Sequence, residues 1–343
     1  EYAYDPAGNM LSMKHSTNSS SWTRHFGMGG LPPRDWDQEW RRHLNASAEW
    51  TNPPGNKLTH VGDDQPGAGQ THFFDANGNL VRETSSHHFE WDHSDRVRVF
   101  RNQTTGAAPT IYARYLYDAS GQRVKKLVRK GTNEYEVTIY IDGVLEHHRL
   151  VKPSETKAND TLHVMDDRSR IALVRVGNAF PDDGAPNVKV KYHLGDHLGS
   201  SSVVTDDNGN WINREEYFPY GETSFGSYAR KRFRFTGKER DEESGLYYHG
   251  ARYYAPWLAR WVSCDPAGTV DWVNVYAYAR SNSILLLDPT GTTGEESKAS
   301  KPPVNSVKDV LEAEARQAAF EAGKEVGVPR NLEKLGGESE SAK

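Results

Sequence analysis

The sequence predicts a mainly β protein assembled from stacked β-hairpins. Three observations support this fold class: a recurring aromatic-Asp-x-x-Gly motif, long stretches of alternating strand-like sequence, and the balance of residue types. Aromatic residues make up 11% of the 343 residues, including 17 Tyr and 9 Trp, although only 36% are hydrophobic. Tyr and Trp suit half-buried pleated surfaces and are scarce in disordered chains, so we expect ordered β-structure with much exposed surface.

The repeat unit is a strand that ends in aromatic residues and is followed by a D-x-x-G turn. The Asp side chain accepts hydrogen bonds from the backbone that follows it, and Gly adopts positive φ at little cost, so the chain reverses there. Successive hairpins of this kind predict a long antiparallel sheet, with unrelated hairpin turns as the alternative interpretation. Three units match closely and two loosely: YAYDPAGNM at Asp5, HFFDANGNL at Asp75, YLYDASGQR at Asp118, FEWDHSDRV at Asp92 and VVTDDNGNW at Asp206.

Composition divides the chain into three predicted regions. Residues 1–187 carry the hairpin repeats, residues 188–291 are dense in aromatic residues and turns, and residues 292–343 form a polar tail. Within the first region, residues 111–177 alternate as strands do, and a short helix is expected near Asp35 to Leu44 inside a long loop.

The tail predicts a polar linker, TTGEESKASKPPVNS, and then a short C-terminal helix. Apolar residues at Val310, Leu311 and Phe320 recur at helical spacing, and Gly327 and Pro329 end the pattern. The last residues, GGESESAK, have the composition of a disordered end. Because the tail is too short for an enzyme with its own core, we interpret it as a truncated or degenerate effector region.

Charge and composition argue against several kinds of partner and site. The net charge of −5 disfavours nucleic-acid binding, and no apolar run is long enough for a membrane span. Cys264 is the only cysteine, so no disulfide can form within the chain. The histidine pairs His87-His88 and His147-His148 lack the spacing of a metal site. We therefore expect no metal and no cofactor.

Residues 192–291 carry an ordered series of motifs that resembles a known family. The series begins with YHLGDHLGS and YFPYGE, continues with FTGKE, GLYY and ARYY, and ends with two Asp-Pro-x-Gly motifs, at 265–268 and 288–291. This order resembles the repeat-associated core of the Rhs/YD-repeat family, and the hairpin units resemble its YD repeats. The segment TLHVMDDRSRIALVRVG further resembles the C component of insecticidal-type ABC (Tc) toxin complexes.

The resemblance implies that the YD repeats form part of a hollow β-shell that the core closes at one end. In this family a variable C-terminal toxin lies inside the shell and is freed by self-cleavage just after the core. The implied partners are a second shell subunit (the B-type component of a toxin complex) or further N-terminal repeats, with the chain's own C-terminal segment as cargo. Because EYAYDPAGNM has the form of the middle of a repeat, we expect a fragment of a longer protein that is secreted or on the cell surface.

In the family the two Asp-Pro-x-Gly aspartates form a single-turnover aspartyl autoprotease, which maps here to Asp265 and Asp288. This chemistry needs one ionised carboxylate to activate water and one protonated carboxyl to polarise the scissile carbonyl, so we expect a close pair that shares one proton. The resemblance also points to Arg260 as a cation able to hold one carboxylate ionised. We expect VNVYAYA to run as a strand that returns the second motif to the first, with cleavage shortly after Gly291.

Two departures from the family pattern bear on cleavage. Thr292 stands where the family usually has an apolar residue, often Leu, and Ser283-Ile284 replace the family's Asn-Pro. Either change is able to slow or abolish cleavage, so whether the chain is an enzyme stays open. The alternatives are a non-catalytic YD-repeat structural or cell-surface interaction protein and a toxin with its activity in the tail, which the short length of the tail disfavours.

Overall fold

A computed structural model of the chain describes residues 1–18, 20–29, 55–62, 69–83, 86–104, 106–131, 133–166, 169–180, 183–226 and 231–296. These residues are mainly β, which confirms the predicted fold class. Glu1–Ser297 forms one compact unit. The helices predicted near Asp35 to Leu44 and in the tail lie outside the described residues.

The main element is an 18-stranded sheet in which each strand pairs antiparallel with the next one along the chain. Sequential pairing follows from the connections, since tight turns join antiparallel neighbours whereas parallel strands need long crossovers. The strands, β1 to β18 in order, are Tyr2–Tyr4, Met10–Ser16, Ser21–Met28, Leu58–Gly62, Gln70–Phe74, Leu80–Glu83, His87–Trp91, Val97–Asn102, Ile111–Tyr117, Arg123–Lys130, Glu134–Ile141, Leu145–Lys152, Glu155–Asp166, Ser169–Gly177, Val190–Gly195, Ser201–Thr205, Trp211–Tyr217 and Thr223–Gly226.

The aspartate of each predicted repeat organises the turn after its strand. The Oδ1 atom of Asp5 accepts hydrogen bonds from the backbone N–H groups of Ala7 (2.9 Å) and Asn9 (2.8 Å), and Gly8 has φ 76°. The same hydrogen bond, from the backbone N–H four residues later to the aspartate Oδ1, forms at the other predicted repeat aspartates, Asp75, Asp92, Asp118 and Asp206. It also forms at Asp196, which the repeat pattern did not include. The turn chemistry read from the sequence therefore defines the hairpins of the sheet.

The sheet curls until its first strands meet the turn after β17. The hydroxyls of Tyr4 and Tyr220 lie 2.6 Å apart although 216 positions separate them in the sequence. The rings of Tyr2 and Tyr220 are edge to face with centroids 5.5 Å apart, and Arg24 forms an ion pair with Glu222 at 2.8 Å. We call this curved sheet the wall. Its inner face is the one whose side chains are buried by residues 231–291.

Residues 231–291, which we call the core region, carry short elements that pack against the inner face of the wall. Four strands of two or three residues each form a small antiparallel sheet, and the region also contains three short 3₁₀ turns. The strands β19 to β22 are Glu239–Arg240, Tyr247–Tyr248, Tyr253–Ala255 and Arg260–Trp261, and the 3₁₀ turns are Phe235–Gly237, Pro256–Leu258 and Tyr278–Ser281.

Aromatic side chains fill the centre of the core region. Tyr247, Tyr254, Trp261 and Tyr278 are fully buried, and Phe235 is 2% exposed. The rings of Tyr254 and Tyr278 have centroids 4.2 Å apart, and Trp261 and Tyr278 follow at 5.4 Å. Such contacts stabilise beyond the area that they bury, so this cluster is the principal packing centre beneath the wall.

Buried ion pairs fasten the core region to strand β10 of the wall. Arg123 donates to Glu239 at 2.6 Å and to Asp241 at 2.7 Å, and Lys126 donates to Asp241 at 2.7 Å. The side chains of Arg123 and Asp241 are fully buried. Removal of one partner would leave an unpaired buried charge, at a cost of about 3–5 kcal/mol, so wall and core region depend on each other.

Two features differ from the sequence prediction. The wall continues past residue 187, because Ala172 in β14 pairs with Tyr192 in β15 and the sheet reaches Gly226. VNVYAYA, expected as a strand, makes a single bridge from Ala277 to Arg260 and then enters the 3₁₀ turn Tyr278–Ser281. Burial of Tyr278 in the aromatic cluster bends the backbone away from an extended path.

No helix within these described ranges is long and apolar enough to cross a membrane.

A matched pair of substitutions tests the aromatic centre. Phe235→Ala removes a ring that is 2% exposed, so we expect the free energy of unfolding to fall by about 3–5 kcal/mol. Phe225→Ala, the same change at a ring 60% exposed on β18, should alter it by less than about 0.5 kcal/mol. Urea denaturation of the two variants measures the difference, and equal effects would contradict the assigned packing.

A second prediction concerns pH. Burial raises the pKa of Glu243 to about 7, with the Lys126 charge opposing the rise and the Asp241 charge adding to it. The folded protein then binds this proton more tightly than the unfolded chain does. The free energy of unfolding should therefore fall as pH rises from about 4.5 to about 7. Glu243→Gln should flatten that fall in urea denaturation, whereas Glu216→Gln, on the half-exposed Glu216, should leave it unchanged.

Candidate functional site

The structure brings the two Asp-Pro-x-Gly aspartates together at one arginine. Arg252 Nη2 lies 2.8 Å from Asp265 Oδ2 and 3.2 Å from Asp288 Oδ2. All three side chains are buried, with exposed fractions of 3% for Arg252, 6% for Asp265 and 2% for Asp288. The guanidinium also stacks over the Trp261 ring at 4.2 Å, which fixes its plane. The predicted pair of carboxylates thus exists, with a cation between its members.

The first aspartate is positioned by its own turn. The Asp265 N–H donates to the Val275 carbonyl at 3.1 Å, and the Gly268 N–H donates to the Asp265 carbonyl at 2.9 Å. Its Oδ1 accepts the Ala267 N–H at 2.8 Å, which leaves Oδ2 directed at Arg252. The side chain therefore both caps the turn and enters the site.

The second aspartate holds the chain that follows it. Asp288 Oδ1 accepts the backbone N–H groups of Thr290 (3.3 Å), Gly291 (2.7 Å) and Thr292 (3.1 Å). The motif forms the turn between two short strands, Leu286–Leu287 (β23) and Glu295–Glu296 (β24). The residues just after the motif are therefore tied back to the carboxylate rather than leading away from it.

The core region holds the carbonyl groups of the same motif. His249 Nδ1 donates to the Asp288 carbonyl at 2.7 Å, and Lys238 Nζ donates to the next carbonyl, that of Pro289, at 2.6 Å. Arg252 Nε donates to the Gly291 carbonyl.

The remaining carbonyl, that of Thr290, accepts the Ala251 N–H at 3.0 Å. All four carbonyls of the second motif therefore accept a hydrogen bond from the core region. Gly291 itself is buried at φ 81°, and a Cβ there would lie 2.9 Å from the Arg252 backbone nitrogen. The close approach of the two backbones requires glycine.

Burial sets the electrostatics of the site. It raises the pKa of Asp288, against the opposing effect of the Arg252 charge and of backbone N–H donors. Burial likewise raises the pKa of Asp265, again opposed by Arg252. His249 has a pKa held well below its usual range by burial and by the Lys238 and Arg252 charges, so it is a neutral donor. Both carboxyls therefore keep a proton to higher pH than free aspartate does.

The two carboxylates are linked through a shared cation. Asp265 and Asp288 each contact the same Arg252 nitrogen. The guanidinium bridges the two groups and offsets their repulsion. Burial has a larger effect on either pKa than the neighbouring carboxylate has.

Arg260, the cation chosen from the sequence, occupies another position. Its guanidinium donates to the Asn56 carbonyl and lies 4.9 Å from the Tyr276 ring centroid. Among the described residues it forms no ion pair with Asp265 or Asp288. Eight positions separate it from Arg252, and the arginine that reaches the aspartates is the one in the ARYY motif.

Sequence reasoning missed Arg252, Lys238 and His249 as site residues. Arg252 and Lys238 lie in motifs that carried the family resemblance, ARYY and FTGKE, but nothing in their spacing from the aspartates indicates contact. Only their burial in the structure identifies them as site residues, because a buried cation needs an anion or carbonyl partner nearby. Within the part of the chain that the structure describes, no group of three or more His, Cys, Asp or Glu side chains is arranged to hold a metal ion.

The site is suited to chemistry on one peptide bond. The Gly291–Thr292 peptide has its carbonyl oxygen on Arg252 Nε and its N–H on Asp288 Oδ1 at 3.1 Å. A cation at the oxygen and a carboxyl at the nitrogen are the groups that polarise a carbonyl and protonate a leaving amine.

Comparison with known proteins connects this geometry to a family. No family model matches the chain. Toxin subunit YenC1 of Yersinia entomophaga is 30% identical over 304 residues, a match that covers 84% of this chain and 28% of YenC1. Toxin protein Tse5 of Pseudomonas aeruginosa is 27% identical over 84% of this chain and 23% of its own length.

The fold also matches a solved structure. The crystal structure of TcdB2-TccC3 without its hypervariable C-terminal region superposes with a TM-score of 0.61 at 24% identity, over 84% of this chain and 15% of that one. The chain thus spans just over a quarter of the length of YenC1 and less of the other two. These matches show that the chain is related to the Rhs/YD-repeat toxins and to the C components of insecticidal-type toxin complexes.

Proposed function

We propose that the chain is part of a toxin-complex shell that encloses a C-terminal cargo and releases it by aspartyl self-cleavage shortly after Gly291. One observation carries the proposal: the Arg252 guanidinium joins the Asp265 and Asp288 carboxylates and also holds the Gly291 carbonyl. Two acids and a peptide carbonyl converge on one buried cation, next to the end of the core region.

The raised pKa values support the acid–base roles. Hydrolysis needs a carboxylate to activate water and a carboxyl to protonate the leaving nitrogen. Asp288 faces the leaving nitrogen, since its Oδ1 already contacts the Thr292 N–H. Asp265, whose oxygens contact Ala267 and Arg252, is then the group that activates water. The cleaved segment belongs to the same chain, so the reaction is a single turnover in cis.

The shell part of the proposal rests on the wall and on the relatives. YenC1 is a toxin subunit by name, and the TccC3 structure is that of a combination with TcdB2. We infer that β1 and β18, the two edge strands of the wall, pair with strands of a B-type shell subunit or of further repeats. The segment after Gly291 is the cargo, and the location is secreted or at the cell surface.

A non-catalytic YD-repeat interaction protein is the second candidate function. The fold by itself supports this function as well as it supports self-cleavage, because the wall and its turns form without any catalytic group. The contacts around the second motif favour cleavage, since a purely structural turn would not need a cation shared between two buried acids.

Substitution of the aspartates tests the proposal. We expect the complete chain, synthesised in a cell-free system, to yield on a denaturing gel a small fragment of the size expected for cleavage shortly after Gly291. Asp265→Asn and Asp288→Asn should each abolish that fragment, because neither amide can take part in proton transfer. The rate of release should fall as pH rises above the raised pKa values, since both carboxyls are then ionised.

Asp118→Asn is the matched control, because Asp118 makes the same turn contact in an exposed D-x-x-G turn. It should release the fragment at the unaltered rate. An intact unaltered chain, or release that persists in both aspartate variants, would contradict self-cleavage by this pair.

The turn glycines provide an independent test of the site geometry. Gly268 and Gly291 both have positive φ, at 69° and 81°, so alanine at either position costs about 1–2 kcal/mol of backbone strain. At Gly291 the added Cβ also meets the Arg252 backbone, whereas at Gly268 it meets nothing within 4 Å. Gly291→Ala should therefore stop release and Gly268→Ala should leave most of it, as measured on the same gel.

A further inference from the structure

We propose that Asp271 is a positioning residue for self-cleavage. It holds the far end of the segment that Asp288 holds at its near end, so that only the bonds between Gly291 and Gly294 reach the site. The inference rests on the proposed self-cleavage and adds a third aspartate to it. This aspartate lies between the two Asp-Pro-x-Gly motifs in the sequence, and its role is to orient the chain that is cut.

The Asp271 carboxylate contacts the chain just after the second motif. Its Oδ2 accepts the backbone N–H of Gly294 at 3.1 Å. Asp288 Oδ1 accepts the N–H groups of Gly291 at 2.7 Å and Thr292 at 3.1 Å. Two carboxylates therefore hold the same short segment, one at its beginning and one at its end, and the proposed cut shortly after Gly291 falls within that segment.

The Asp271 carboxylate is itself held in one orientation. Arg280 donates to its Oδ1 from Nε at 3.0 Å and from Nη2 at 2.6 Å, which leaves Oδ2 for Gly294. The Asp271 side chain is 11% exposed, whereas that of Arg280 is 42% exposed. Charge-assisted hydrogen bonds from two nitrogens of one guanidinium restrict how a carboxylate turns, so the oxygen that meets Gly294 stays in place.

Arg280 is placed by a turn that is unfavourable by itself. Ala279, Arg280 and Ser281 have φ of 48°, 51° and 62°, a left-handed conformation that residues with a Cβ rarely adopt. Ser281 Oγ donates to the Gly8 carbonyl at 3.0 Å, and the Tyr220 hydroxyl donates to the Ser281 carbonyl at 3.0 Å. Contacts from the wall thus hold the turn. Such conformations persist only where the surrounding structure imposes them, and they occur preferentially at functional sites.

Strand pairing completes the far anchor. Gly294 directly precedes β24, and Glu295 in β24 pairs with Leu287 in β23. Leu287 in turn directly precedes Asp288, so the loop from Asp288 to Gly294 is closed at both ends. A loop closed in this way presents the same bonds to the aspartates each time, and a fixed geometry of the reacting atoms is the condition for a fast reaction within one chain.

Loss of the anchor should slow the cut and spread it over several bonds. Asp271→Ala removes the acceptor of the Gly294 N–H, so the segment samples more positions. We expect release to slow roughly 10- to 100-fold, because a misplacement of about 1 Å slows a positioned reaction by as much as about 100-fold. The released fragment should then begin at more than one residue. Asp271→Asn keeps an oxygen for the Gly294 N–H, and it should restore a single first residue and most of the rate.

The experiment follows release from the complete chain after cell-free synthesis, with the rate read from denaturing gels and the first residue of the fragment read by mass spectrometry. Asp183→Ala is the matched control, because Asp183 is 12% exposed, accepts the Ala185 N–H at 3.0 Å and pairs with Lys191 at 2.7 Å. It should leave both the rate and the first residue unaltered. Urea denaturation shows whether each variant is folded. Asp271→Leu, which fills a similar volume without accepting a hydrogen bond, replaces Asp271→Ala if the alanine variant does not fold.

The outcomes separate the two proposals. Slower release with several first residues from Asp271→Ala, and one first residue with most of the rate from Asp271→Asn, support the positioning role. Release from Asp271→Ala that keeps the unaltered rate, keeps one first residue, stops completely, or is not restored in Asp271→Asn overturns that role and leaves self-cleavage standing. Absence of any fragment from the unaltered chain overturns self-cleavage itself and the positioning role with it.

Discussion

The Arg252 guanidinium is the interaction on which the site depends. It contacts both motif aspartates and the Gly291 carbonyl, and it lies against the Trp261 ring. A cation buried to this extent is stable only because it is fully paired, and the two buried carboxylates are tolerable only because the cation lies between them. Each of the three charges thus requires the other two, which explains why two turns distant in sequence converge.

The same principle operates between the core region and the wall. Arg123 and Lys126 on β10 face Glu239 and Asp241 on β19 and just after it, all of them buried. Such pairs contribute little net stability compared with apolar packing, but they tolerate only one alignment. We infer that they set how the core region sits on the inner face, while the aromatic cluster supplies most of the packing energy. The Lys238 and Arg252 donors then reach the second motif because their strands and turns are already positioned.

Some of the site was predictable and some was not, for physical reasons. The two aspartates could be chosen because Asp-Pro-x-Gly has local turn chemistry and occurs at matching positions in a resembling family. Arg260 does not make the contact expected of it, since its guanidinium lies against the Asn56 carbonyl and the Tyr276 ring. Which arginine reaches a carboxylate depends on side-chain direction in three dimensions, and spacing along the chain contains no measure of that.

By itself, the sequence determined the hairpins, their antiparallel order and the positions of the two motifs, because each depends on contacts within a few residues. An aspartate that caps its own turn, as Asp5 and Asp118 do, needs nothing from the rest of the chain. Only the tertiary structure decided how far the wall extends, that VNVYAYA bends around Tyr278, and that Arg252 is the shared cation. Those features arise from burial, and burial is set by residues far apart in sequence that come together only when the wall closes around the core region.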